Sequence, residues 1–195
     1  MPVRLGQEVQ EVPRGLTRPE PALADDAISL EPLAEALAPE LGWVLAGDAD
    51  TARFTRIPAQ PDHTFLTTWL GRYEQGWDSG SNAGFAIRDS ATGAAIGFAG
   101  FVHLHLEQEQ GEIGYVVDPA ARGRGAAGRA LGLLTSWGLG VLGLERIELR
   151  IDPANEQSAR VARRTGYRLE GTLRNLYVEE GRRTDFGIWA RLAGE

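Results

Sequence analysis

Cysteine is absent from this chain, and so is lysine. Without a thiol there is no disulfide framework, no thiolate zinc centre and no nucleophilic cysteine. Three histidines and one methionine leave little for soft-metal chemistry, so no metal is expected. All twenty basic residues are arginine, which, with abundant Gly and Ala, reads as the codon bias of a GC-rich genome and carries no mechanism. No apolar run approaches the ~20 residues that a membrane span requires. The opening MPVRLGQEVQEVPRG lacks the apolar segment of a signal peptide. A cytoplasmic protein without a membrane partner is the expectation. What is present is ordinary for a globular chain: 195 residues, 43% apolar and 24% charged, enough for one domain with a real core.

Charge is more informative by segment than as the total of −7. Residues 1–50 hold ten acids and three arginines and account for all of it, while the remainder is neutral. Within that remainder, 122–168 holds nine arginines against four acids. An acidic protein with one basic stretch points to a small anionic ligand rather than to a nucleic-acid track. Solvated helix faces would give the same count.

The first 27 residues are polar, Pro-bearing and without period, and read as a loose acidic N-terminal arm ahead of a domain over 28–195. Ile28–Leu33 alternates weakly, as a first strand would. Leu33–Ala46 is helical in pattern, interrupted at Pro39. Over Asp62–Trp77 the apolar residues Phe65, Leu66, Trp69, Leu70 and Tyr73 recur at three and four, an amphipathic helix whose aromatic stripe is either core or a substrate shelf. Phe85–Arg88, Ala95–His105 and Glu112–Val117 are β-type runs separated by the turns DSATG and EQEQG. Links that short suit antiparallel hairpins. An Ala/Leu/Trp helix then runs to about Leu142, with Trp137 in its apolar pattern. It is followed by a strand Arg146–Ile151, a helix Asn155–Arg164, and strands Tyr167–Val178 and Thr184–Ala190. The class is α+β with a mixed sheet.

The informative join is at 112–128. Glu112-Ile-Gly-Tyr-Val-Val117 ends a strand and Arg122-Gly-Arg-Gly-Ala-Ala127 opens a helix. Glycines at a helix start let backbone N–H groups approach an anion without Cβ atoms in the way, and the helix dipole adds favourable potential there. Arg122 and Arg124 would add charge-assisted hydrogen bonds, and a pyrophosphate is the natural guest. A tight strand-to-helix turn with incidental arginines is the plain alternative. Gly123, Gly125 and Gly128 also spell the dinucleotide fingerprint, with Asp152 as the acid for a ribose. A doubly wound domain needs several βαβ units after that fingerprint, and only 67 residues follow Gly128.

Arg122-Gly-Arg-Gly-Ala-Ala127 resembles the acyl-CoA motif of the GNAT superfamily: Arg or Gln, two free positions, Gly, one free position, Gly or Ala. The four-residue spacer Asp118–Ala121 after Tyr115-Val-Val117 matches as well. Asn155-Glu-Gln-Ser158 through Gly166-Tyr167 resembles the family's second motif. The continuation Tyr167-Arg-Leu-Glu-Gly-Thr-Leu-Arg174 resembles the RimJ/RimL-like branch, the ribosomal-protein N-terminal acetyltransferases. The resemblance is strong over about 94–190 and thin before Ile28. It implies a mixed, mostly antiparallel twisted sheet flanked by helices, acetyl-CoA as co-substrate, and a protein N-terminus or a small amine as acceptor, with a homodimer among the assemblies it allows.

It also implies roles. Backbone of Tyr115, Val116 and Val117 would pair with pantetheine like an added strand. The Val117 N–H would hold the developing oxyanion. Amides of Arg122, Gly123, Arg124, Gly125, Ala126 and Ala127 would cradle the pyrophosphate, and Asn155 would bond the pantetheine arm. The amine attacks the thioester directly. Glu112 is the candidate base, or else a salt-bridged strand-end residue. Many members use a tyrosine as acid four residues before the second motif's glycine. Here that position is Ala162, and Ser158 is the replacement, unless it merely caps or packs. His103 and His105 share a strand face and suit a cleft-facing polar pair better than a metal site. Glu170 and Asp185 either line the acceptor side or pair with Arg168, Arg174 or Arg183. Tyr177 reads as a strand residue before a contact with acceptor. A non-transferring acyl-CoA-binding module and a dinucleotide-binding oxidoreductase are the rival readings.

Overall fold

The period-two runs become strands and the three-four runs become helices. The computed structural model describes residues 15–195 apart from Gly47, Arg56 and Glu180. Its strands are β1 (Leu23–Ala24), β2 (Ile28–Pro32), β3 (Ala83–Asp89), β4 (Ala95–His105), β5 (Gln110–Val117), β6 (Arg146–Ile151), β7 (Arg168–Glu179) and β8 (Arg182–Leu192). They form one sheet in the order β1-β2-β3-β4-β5-β6-β8-β7. Every neighbouring pair is antiparallel except β5 and β6, which are parallel. The β3–β4 turn closes as DSATG suggests: Asp89 accepts the Ala91 and Thr92 N–H groups, and Gly93 takes a φ of 73°.

Helices α1 (Ala38–Leu45), α2 (Ala49–Phe54), α3 (His63–Ser79), α4 (Ala126–Gly140) and α5 (Glu156–Arg164) cover the sheet. Asp62 caps α3 by accepting the Phe65 N–H at 2.7 Å, and Gly80, at φ 73°, ends it in the left-handed region. Alternation along the strands divides the core in two. Phe85, Ile87, Phe101, Ile113 and Val117 pack with Leu131, Leu134 and Trp137 of α4. Ala86, Phe98 and Val116 pack with Leu41 of α1 and Leu66, Leu70 and Tyr73 of α3. Trp137 is a core residue, as its spacing suggests. No helix among the described residues is long and apolar enough to cross a membrane.

Residues 1–14 of the expected loose arm lie outside the described residues. The part from 15 to 27 differs from a loose arm. The Leu16 N–H donates to the Trp77 carbonyl at 2.6 Å, β1 pairs with β2, and Arg129 of α4 clasps Asp25 and Asp26. Polar, Pro-bearing sequence carries no period, so pairing made by two residues and a salt bridge leaves no local trace.

One irregularity positions the site. The β5–β6 ladder is only three pairs long, Gln110 to Glu112 against Arg146 to Glu148. Beyond it β5 stays with β4 as far as Val117, while β6 stays with β8 as far as Ile151. With the ladder between them ended and each kept by its outer partner, the two parallel strands part, and a wedge lined by both opens in the sheet.

Candidate active site

The wedge opens into a cleft of about 920 Å³, walled by α2, α3, β4, β5, the 121–128 turn, β6 and α5. A cavity of this size suits a cofactor-sized guest.

The turn at one end is built for an anion. Asp118 accepts the Ala120 N–H at 2.8 Å and sets a short 3-10 turn over Pro119–Ala121. Gly123 and Gly125 then take φ of 79° and 84°, a region that side chains with a Cβ rarely adopt. A Cβ on either would meet nothing within 4 Å, so both glycines face open space at the cleft wall. Gly125 is also the N-cap of α4 and offers no capping side chain, which leaves the first-turn N–H groups near Ala126, Ala127 and Gly128 for a guest. The cradle therefore fits a pyrophosphate.

The two arginines of the turn are placed differently from expectation. The Arg122 guanidinium is bidentate on Asp48, at 2.6 and 3.1 Å, and donates to the Thr51 hydroxyl and the Val117 carbonyl as well. With four of its five N–H donors engaged there, Arg122 ties the turn to α2 rather than reaching for a phosphate. Arg124 is exposed and stands outside the cleft wall, where its charge acts on Asp89.

Asp48 is the N-cap of α2, accepting from the Thr51 N–H as well as from Arg122. The Arg122 hydrogen bond above all, helped by that N–H, holds its carboxyl well below the usual carboxylate range. A carboxyl depressed on folding contributes stability above its unfolded value, about 3.9, and the contribution is lost as pH falls toward the folded value. Asp48→Asn keeps a competent cap and removes the charge. It should lower the urea midpoint at pH 7, and the difference from the parent should begin to shrink below about pH 4 and keep shrinking as pH falls toward the folded value. A midpoint difference independent of pH would show that the ion pair contributes nothing.

Between the start of the wedge and the turn, α5 approaches β5. Asn155 accepts the Ser158 N–H at 3.0 Å, capping α5, and its Nδ2 donors remain for a guest carbonyl. Ser158 faces the cleft and its Oγ lies 2.7 Å from the Tyr115 hydroxyl. Burial, opposed by that hydrogen bond, pushes the Tyr115 phenol up to about 12. Tyr115, Val116 and Val117 all line the cleft, as does Asp152, whose carboxylate is taken up by the Ala154 N–H.

Glu112 sits where the wedge begins. Its Oε2 lies 3.1 Å from Arg150 Nε, and Arg150 donates to the Tyr177 hydroxyl at 2.7 Å. His103 lies opposite Glu112 through a bulge in β4 between Phe101 and His103. Strict alternation from Phe101 would turn His103 into the α4-side core. The extra residue gives that place to Leu104 and brings His103 to the cleft. His105 shares its strand but lies outside the cleft wall, as do Glu170 and Asp185. Glu170 pairs with Arg146, and Asp185 accepts the Asn175 N–H at 2.8 Å. The α3 stripe is divided: Leu66 and Leu70 are buried, while Phe65 and Trp69 line the cleft. Among the described residues no group of three His, Asp or Glu could hold a metal.

Sequence reasoning missed α2 and Arg150. Asp48 ahead of ADTARF is a cap signal for α2, and the alternation of RIELRI puts Arg146, Glu148 and Arg150 on one face, so both left a trace.

A family model described as an acetyltransferase (GNAT) domain matches residues 28–168. A structure described as a probable acetyltransferase of the GNAT family from Chromobacterium violaceum is 30% identical with a TM-score of 0.80, covering 100% of this chain and 98% of that one. An uncharacterized N-acetyltransferase, p20 of Bacillus licheniformis, is 32% identical over 57% of this chain; the match spans 62% of that relative's length. The fold is also that of RimL, a ribosomal L7/L12 alpha-N-protein acetyltransferase solved with coenzyme A. There the TM-score is 0.79 at 19% identity, over 87% of this chain and 96% of that one.

Proposed function

The chain belongs to the GNAT family of acetyltransferases, and from that premise we propose that it moves acetyl from acetyl-CoA to a primary amine, with a protein or peptide N-terminus as the favoured acceptor. One observation carries the reading: the wedge between β5 and β6 ends at the glycine cradle, so a strand edge and an anion site lie along one cleft. That is the shape of a guest with an extended amide arm and a pyrophosphate. The rival dinucleotide fold is excluded by the antiparallel strands that precede the turn.

Acetyl-CoA supplies an activated thioester, and the chain's part is placement and charge. Tyr115, Val116 and Val117 present backbone along the arm. The Val117 N–H serves the carbonyl oxygen as it gains charge. Gly123, Gly125, Ala126 and Ala127 offer their amides to the pyrophosphate, with Arg122 fixing the turn and Arg124 adding positive potential outside it. Asn155 bonds the arm from α5.

The attacking amine must be neutral. An α-amino group (pKa ~8) is about a fifth neutral near pH 7.4, whereas a lysine side chain (~10.4) is ~0.1% neutral. An N-terminal acceptor therefore asks little of a base. Glu112, steadied by Arg150, takes the proton directly or through water. Ser158 serves the departing sulfur.

The charge of the cleft wall supports the N-terminal reading. Arg53, Arg72 and Arg150 line the cleft, and over its whole lining arginines outnumber acids six to four. The further ammonium groups of a polyamine would meet guanidinium there, while peptide carbonyls are acceptors a guanidinium can serve. The likeness in fold to RimL supports the same class. The test is thiol release from acetyl-CoA over peptides with free N-termini, N-terminally blocked lysine peptides, spermidine and small amines. Free N-terminal peptides should turn over fastest. Turnover of spermidine or another small amine alone would replace the acceptor, and binding without any thiol release would make the chain a binding module.

A further inference from the structure

We propose that Tyr115 is a positioning residue for Ser158, its hydroxyl donating to Ser158 Oγ so that the serine proton is directed at the leaving sulfur. The inference rests on the acetyltransferase reading above. The Tyr115 hydroxyl lies 2.7 Å from Ser158 Oγ and 3.4 Å from the Ser158 carbonyl, on the cleft side of α5.

A serine in the first turn of a helix has a competing partner for its proton, here the Asn155 carbonyl three residues back, and a hydroxyl bound that way donates nothing to a guest. A phenol that donates to Oγ occupies one of the serine's lone pairs and makes its proton a better donor, because hydrogen bonds in a chain polarise one another. The fold fixes the phenol for this task. Tyr115 belongs to β5 and is held by its pairing with Ala99 of β4, and its ring packs against the α4-side core. Its ordinary acidity is suppressed by burial, so the phenol keeps its proton and remains a donor throughout the physiological range. Ala162, fully buried on the same helix, supplies no hydroxyl of its own.

The balance of the step is simple. The amine nitrogen forms the C–N bond, the C–S bond breaks, and its electron pair stays on sulfur. Ser158 shares its proton with that sulfur and Tyr115 shares its proton with Oγ, which spreads the charge over three atoms. The amine gives one proton to Glu112 or water and from there to solvent, and sulfur takes one from solvent as the thiol leaves. Tyr115 and Ser158 end as they began.

The experiment is a double-mutant cycle on the full chain, Tyr115→Phe, Ser158→Ala and both together, measured with whichever amine the parent protein acetylates. Tyr115→Phe should lower kcat about tenfold, the worth of one neutral hydrogen bond made in the transition state, and leave KM for acetyl-CoA within about twofold. Adding Tyr115→Phe to Ser158→Ala should change kcat less than about twofold, because the tyrosine acts only through the serine. Parental kcat in Tyr115→Phe, losses that multiply in the double variant, or a defect confined to KM would overturn the proposal. If Tyr115→Phe alone folds poorly, the comparison within the Ser158→Ala background, with thermal scans of both, decides it the same way. Failure of the parent itself to release thiol with any amine is a different result and would overturn the acetyltransferase reading.

Discussion

Gly125→Val should abolish acetyl-CoA binding and cost some stability. Gly125 has a φ of 84°, where an L-residue pays ~1–2 kcal/mol and a β-branched one more. That strain falls on the fold. The second effect falls on the ligand, since a branched side chain would fill the open space in front of the α4 amides. Hydrogen bonds to a charged phosphate are worth ~1.5–3 kcal/mol each, so losing two weakens binding by at least about a hundredfold. Gly143 separates the two effects. It has a φ of 69°, an equally open surrounding, and no place in the cleft wall. Gly143→Val should lose stability and keep acetyl-CoA affinity in calorimetric titration. Equal binding by Gly125→Val and the parent, both folded by circular dichroism, would reduce the loop to a turn.

Gly97→Ala is expected to harm the site from behind. Gly97 lies on β4 opposite Val117, and an added Cβ would stand 2.5 Å from the Val116 carbonyl oxygen and 3.3 Å from Val117 Cα. These two are backbone, and the third neighbour, Ile87 Cδ1 at 3.0 Å, is fully buried, so the strand must move rather than a side chain swing aside. Overpacking of this kind costs ~1–3 kcal/mol. The strand displaced is the one that lines the cleft, so acetyl-CoA affinity should fall together with stability. Gly100→Ala is the matched control. Its Cβ would be 2.5 Å from the Ala83 carbonyl, pressing on β3 and away from the cleft. Thermal scans with and without acetyl-CoA should show both variants destabilised and only Gly97→Ala poor in ligand response. A normal ligand response in Gly97→Ala would show that β5 tolerates the shift.

The parts of the fold that were legible share a cause. The β4 and β6 bounds, Ala95–His105 and Arg146–Ile151, agree with the sequence to the residue, because alternation and flanking turns are local signals. The helix that starts at Asn155 was legible for the same reason, though its capping role was not read, and the glycine turn was legible too, since the positive φ at Gly123 and Gly125 is a demand only glycine meets cheaply. What escaped was long-range. Arg122 reads as a phosphate ligand until Asp48, 74 residues away in sequence, takes its guanidinium. The tie-down of residues 15–27 rests on Arg129 reaching Asp25, 104 residues back. The bulge that turns His103 to the cleft is one extra residue in an otherwise regular strand, and nothing in FVHLH announces it. The Tyr115–Ser158 contact joins two motifs that the sequence presents separately.

The central claim is that the glycine turn and the β5–β6 wedge hold acetyl-CoA, and a thermal scan of the full chain with acetyl-CoA beside one with NADH tests it most directly. A ligand that binds only the folded state stabilises it by ~2.7 kcal/mol at a hundredfold above Kd. A rise in Tm with acetyl-CoA, concentration-dependent and absent with NADH, is the result expected. A rise with NADH and none with acetyl-CoA would contradict the account.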